Sequence, residues 1–214
     1  EAVWHDGIVA LPLVLKDSAG RCTTVAVRNT SAVSSTVVTA EVRSPAGGAP
    51  EVEATYEVGA MSTTALDLCG DRRFDKLPSG FVGSMVLRSS EHAVSAEALI
   101  SYREGYGLAE YGASATWMPG AALLLPLLHS AWSYEPGAGA LPTYESRVYL
   151  YNPSRSPASV VTTYVGVAGD CLGKSFSDAP VTMPGFGGAV LAPGPMGTGL
   201  LPEGDVQDGF TRST

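Results

Sequence analysis

The apolar residues of this chain recur at every second position, and they do so in short runs. Val25, Val27 and Asn29 alternate with Ala26 and Arg28, and Val38, Ala40 and Val42 alternate with Thr39 and Glu41. Phe81, Gly83, Met85 and Leu87 define one face of a later run. Val94, Ala96, Ala98 and Ile100 define another, with Glu97 opposed. A period of two is the signature of strands, whose successive side chains point to opposite faces. Turn chemistry separates the runs at Asp17-Ser18-Ala19-Gly20, Ser44-Pro45-Ala46-Gly47-Gly48 and Pro78-Ser79-Gly80. No stretch sustains a helical apolar stripe. About seven short strands at this spacing predict an all-β, antiparallel β-sandwich of the immunoglobulin-like type.

The pattern occurs twice. Trp4-His5-Asp6-Gly7 before Leu11-Pro12-Leu13 is answered by Trp117-Met118-Pro119-Gly120 before Leu125-Pro126-Leu127. Val25 to Ser31 aligns with Val148 to Ser154, and the alignment runs ungapped into Thr36–Val42 against Ser159–Val165. Leu77-Pro78-Ser79-Gly80 is answered by Leu201-Pro202-Glu203-Gly204, and Leu87-Arg88-Ser89-Ser90 by the final Thr211-Arg212-Ser213-Thr214. Blocks in the same order indicate a duplicated module, here residues 1–112 and 113–214 with a Gly-, Ala- and aromatic-containing linker at about 103–120.

The second copy is expected to be incomplete. Nothing in it corresponds to the strand near Ala93–Tyr102, and Asp205 to Gly209 loses the alternation of Phe81 to Met85. A sandwich lacking its closing strand exposes apolar surface and unpaired backbone. It would then accept a strand from another chain, with Val206 and Phe210 at the seam. A chain that simply continues past this point is the rival reading.

These blocks resemble the tandem β-sandwich repeats of bacterial secreted and cell-surface proteins. The resemblance rests on an opening Leu11-Pro12-Leu13-Val14 strand, the Val25–Ser31 strand and turn, the Leu77–Ser84 segment, and the apolar Ala93–Tyr102 strand followed by Tyr111-Gly112. Copy two carries the first two, with Leu128 in place of the valine, and departs at the third. The resemblance implies extracellular display and an adhesive or scaffolding role, with no catalytic residues.

Composition narrows the function classes. The 214 residues are 45% hydrophobic, enough to fill a core, and carry a net charge of −8 with 13 Lys and Arg. That balance argues against nucleic acid or an anionic lipid surface as partner. The longest apolar run, Met118–Leu128, is broken by Pro119, Gly120 and Pro126 and falls short of the roughly 20 residues of a membrane span. No basic and apolar leader is visible at the start. Few lysines among many Ser, Thr, Gly and Val favour an extracellular surface.

Cys22 and Cys69 read either as a disulfide or as two small buried hydrophobes. Cys171 falls at an expected hairpin tip, as a free thiol or an intermolecular bridge. No Cys or His spacing suits zinc. His5, His92 and His129 are isolated, Asp205–Gly209 lacks the ligand alternation of a calcium loop, and no cofactor is expected. Gly185-Phe186-Gly187-Gly188 opens no helix and reads as a turn. Asn29-Thr30-Ser31 is formally a glycosylation sequon, but Pro153 blocks the matching Asn152, which favours a turn role for both.

Copy two also lengthens the connection between its first two strands by nine residues, and this loop carries Trp132, Tyr134 and Tyr144. Such aromatics anchor a subunit contact, stack on a glycan, or pack locally. Three functions remain: a non-catalytic structural subunit or stalk of a cell-surface assembly, self-associating or joined to another surface protein; an adhesive or carbohydrate-binding module; and an accessory part of a larger secreted enzyme.

Overall fold

The computed structural model describes residues 8–102, 108–112, 114–115, 148–165 and 173–191. All regular elements are strands, apart from a single 3₁₀ turn at Arg72–Phe74. Nine strands come first: β1 (Ile8–Lys16), β2 (Arg21–Asn29), β3 (Thr36–Arg43), β4 (Val52–Val58), β5 (Thr63–Asp67), β6 (Phe81–Ser89), β7 (Val94–Tyr102), β8 (Leu108–Gly112) and β9 (Ser114–Ala115). They form two antiparallel sheets, ordered β4-β3-β6-β1-β9 and β5-β2-β7-β8. The inward positions of both, among them Val9, Leu11, Val25, Val27, Val38, Val42, Met85, Leu87 and Ala98, make one apolar core. This is a β-sandwich, and the alternation in the sequence follows from its two-sided strands.

Three devices close the sandwich. The β1–β6 register slips between Leu11 and Val14, beside Pro12, which has no N–H for the ladder. The Leu15 N–H next to this bulge donates instead to the buried Thr23 Oγ1 across the sandwich, at 2.9 Å. At one end, the 3₁₀ turn drives Phe74 into the core with no exposure. Asp71 caps it by accepting the Arg73 N–H at 2.9 Å. Lys16 Nζ donates to the Phe74 and Leu77 carbonyls at 2.7 and 3.0 Å, so its charge offsets carbonyls the turn leaves over. Finally, Cys22 and Cys69 form a disulfide that spans 47 positions and ties the start of β2 to the chain beyond β5.

The region read as a linker holds β8 and β9. β8 extends the second sheet through Ala98↔Tyr111, and β9 adds to β1 through Val9↔Ala115. Alternation is weak in these short edge strands, which the ladder itself specifies.

The downstream strands are β10 (Val148–Tyr151), β11 (Ala158–Val160), β12 (Thr163–Val165), β13 (Ser175–Ser177), β14 (Val181–Met183) and β15 (Gly188–Leu191). They pair as β10–β15, β11–β14 and β12–β13. The first copy pairs β2 with β5 and β3 with β4 in the same way. Where β3 is continuous, its counterpart is split into β11 and β12. Two residues more separate the matching positions here, and Pro180 among them has no N–H to pair.

The chain divides into two compact units. One comprises 1–119 with the segments 151–158 and 183–188, and the other comprises 120–150, 159–182 and 189–214.

Candidate functional site

Asn29 ends β2 fully buried, and its side chain organises the turn that follows. Its amide donates to the Ser34 and Val58 carbonyls at 2.8 and 3.1 Å, and its Oδ1 accepts the Ser31 N–H at 2.9 Å. Asn152, ending β10, repeats the arrangement. Its amide donates to the Ser156 and Pro184 carbonyls at 2.8 and 3.0 Å, and its Oδ1 accepts the Ser154 N–H at 3.0 Å. Both amides are committed inside the fold, so the sequon at Asn29 serves the turn.

Each asparagine is matched to a second turn, before β5 in one copy and before β15 in the other. Asn29 N–H donates to the Ser62 carbonyl and Asn152 N–H to the Gly187 carbonyl. Met61 N–H donates to the Ser31 carbonyl and Phe186 N–H to the Ser154 carbonyl. Ser62 N–H reaches the Gly59 carbonyl as Gly187 N–H reaches the Pro184 carbonyl. Met61 and Phe186 share a left-handed backbone, φ 50° and 55°, which costs a non-glycine residue on the order of 1 kcal/mol. Met61 and Phe186 are thus equivalent positions of one duplicated turn.

The two copies use this turn differently. The turn at 184–188 is docked, within the first compact unit, onto the β3–β4 connection. Gly48 N–H donates to the Gly185 carbonyl at 3.4 Å and Gly188 N–H to the Pro45 carbonyl at 3.0 Å. The fit is backbone to backbone. A Cβ on Gly47, itself at φ +78°, would lie 2.5 Å from the Gly185 oxygen, and one on Gly185 would collide with the Arg155 carbonyl. The Arg43 guanidinium stacks over the Phe186 ring at 4.6 Å from its centroid and also donates to the Gly48 carbonyl.

Beneath this contact lies a buried ion cluster on the face of the sheet away from the core. Glu41 accepts from Arg43 through one oxygen and from Arg88 Nε through the other, both at 2.6 Å. Burial alone would raise the Glu41 pKa, but the two guanidiniums outweigh it and hold the carboxyl below its ordinary 4.5. Burial likewise raises the Tyr151 hydroxyl above 10.0. Tyr151 Oη and Arg43 Nε are buried without a hydrogen-bond partner in the protein.

The Met61 turn, by contrast, is open. Gly59, Ala60 and Met61 are exposed, Met61 at 53%. A second feature lies on the outer face of β2, where a shallow polar recess of about 290 Å³ adjoins the disulfide. It is lined by Cys22, Thr24, Asp67, Cys69, Gly70, Ser101 and Tyr102. Asp67 Oδ1 accepts the Cys69 N–H there at 2.9 Å.

Of the residues singled out in the sequence, Cys22 and Cys69 are brought together, and His92 Nε2 lies 2.5 Å from Ser34 Oγ on the surface. Trp132, Tyr134, Tyr144, Cys171, Val206 and Phe210 lie outside the described residues, as does the seam at 205–214. The Glu41 cluster and the docked turn carried no sequence signal except the Gly-rich composition of both turns. Among the described residues no three His, Cys, Asp or Glu side chains gather as metal ligands. No helix among them is long and apolar enough to cross a membrane.

No family model and no curated protein matches the sequence. Among solved structures, a crystal structure of Thermotoga maritima 1070 is similar over 50% of this chain and 92% of that one, at 16% identity and a TM-score of 0.37.

Proposed function

We propose that this chain is a non-catalytic structural or stalk segment of an extracellular or cell-surface assembly, joined to further copies of itself or to another surface protein. The observation that carries the reading is the duplicated turn, used at 184–188 as an attachment point on the sheet containing β3. Side chains with chemical potential are spent on architecture: Asn29 and Asn152 on turns, Glu41 and Arg43 on a buried cluster, Lys16 on capping. The Cys22–Cys69 disulfide suits an oxidising compartment. Strand complementation at residues 205–214 belongs to the same proposal as a means of joining subunits. Sedimentation velocity of the full chain over a concentration series tests it. Species growing in steps of 22.1 kDa are expected, and a single non-associating monomer at every concentration contradicts it.

The recess beside the disulfide favours a second reading, an adhesive module for a glycan. A carboxylate, two hydroxyl side chains and an exposed tyrosine are the groups that engage a sugar's hydroxyls and its apolar face. Retention on a polysaccharide array that Tyr102→Ala abolishes, with thermal unfolding unchanged, would favour it. Equal retention by both proteins would dismiss the recess.

A further inference from the structure

We propose that the exposed Gly59–Ser62 turn is a docking plug, and that its occupant is the 166–172 segment of a second copy of this chain. The inference rests on the assembly reading and names the surfaces that would meet.

Its basis is a contact the molecule already makes. Phe186 and Met61 occupy the same position of the same turn, held by matching hydrogen bonds and the same left-handed backbone. The Phe186 turn is seated on the β3–β4 connection, whereas the Met61 turn leaves a large apolar side chain 53% exposed. A strained conformation that presents an apolar tip to water gains nothing for a lone molecule. Seated as the Phe186 turn is seated, the same tip is covered.

The partner surface follows from the duplication. The seat for Phe186 is built from Arg43 to Gly48, in the connection after β3. By the spacing that aligns Val42 with Val165, residues 166–172 are the counterpart of 43–49. The two pairs differ in a complementary way. The seat for the aromatic Phe186 offers the Arg43 guanidinium, whereas the matching position in the other seat is Gly166, which supplies no cation, and Met61 has no ring to receive one. One copy offers a plug and another a seat, so the contact is head-to-tail, and an interface of that type propagates along a filament unless the rotation closes a ring. A turn-on-turn contact is small, and it gains strength when other contacts, such as the seam at 205–214, hold the copies together.

Cys171 supplies the test, because it is the counterpart of Gly48, whose N–H meets the Gly185 carbonyl, and Ala60 is the counterpart of Gly185. Ala60→Cys places a thiol on an exposed turn residue. In the full chain under mild oxidation, it should yield a ladder of multimers linked between residue 60 of one copy and Cys171 of the next. The ladder should form about tenfold faster than for a control thiol at the 89%-exposed Val33 (Val33→Cys), through the effective concentration that docking provides. It should vanish in Ala60→Cys/Cys171→Ser, with Cys22–Cys69 intact by peptide mapping. If the native chain sediments as oligomers while Ala60→Cys forms no such link, or links no faster than the control, the inference is overturned and the assembly reading stands. If the native chain stays monomeric, both fall.

Discussion

Burial removes the Asn29 amide from water, so its three hydrogen bonds have no solvent substitute. Asn29→Ala strands the Val58 and Ser34 carbonyls and the Ser31 N–H. It should lower unfolding free energy in urea by about 2 kcal/mol, and a lysate-made and a secreted protein should both carry Asn29 unglycosylated. Glu41 acts through its charge. Its carboxyl titrates below 4.5 when folded and at about the ordinary value when unfolded, so its contribution is present above pH 4.5. It is lost as pH falls through the depressed folded value. Melting temperature should therefore drop steeply on acidification below about pH 4.5, and Glu41→Gln, less stable at pH 7, should show a flatter acid limb. The two residues were unequally legible. Asn29 was readable as a turn residue because its motif recurs at Asn152 with a proline that no glycan acceptor tolerates. Glu41 sat at a solvent-side position of a correct alternation. Only the chain around Tyr151 and Phe186, more than a hundred residues on, buries that side.

At the scale of elements, alternation located β2, β3, β6 and β7 because each has one face on the core and one away from it. β8 and β9 escaped it, since short edge strands are held by a single neighbouring ladder and need no apolar face. The bulge in β1 was foreshadowed by Pro12, but its repair by Thr23, which lies on another strand, was not. The disulfide joins β2 to the segment after β5, a separation of 47. Closing a loop of that length restricts the unfolded chain by about 4 kcal/mol in the entropic account. Cys22→Ala/Cys69→Ala should lose a stability of that order in urea, and reductant should destabilise the native protein to the same extent while leaving the variant unchanged. Equal stability with and without reductant would show that the capped 3₁₀ turn and Lys16 suffice to close this end.

For the whole molecule, the duplication was visible in the order of its blocks, and the structure adds what no alignment of the halves could supply. The equivalent turns at Met61 and Phe186 have different surroundings, one open and one seated. This difference depends on which backbones approach closely enough to need glycine, as at Gly47 and Gly185, and composition alone does not locate such contacts. The account therefore turns on Met61 being an interaction tip. Peroxide oxidation read by mass spectrometry tests this most directly, with buried Met85 and Met183 as internal references. In dilute monomer, Met61 should form the sulfoxide far faster than Met85 or Met183. In concentrated, associated protein its rate should fall toward theirs. Met61 oxidising equally fast in both states would contradict the account.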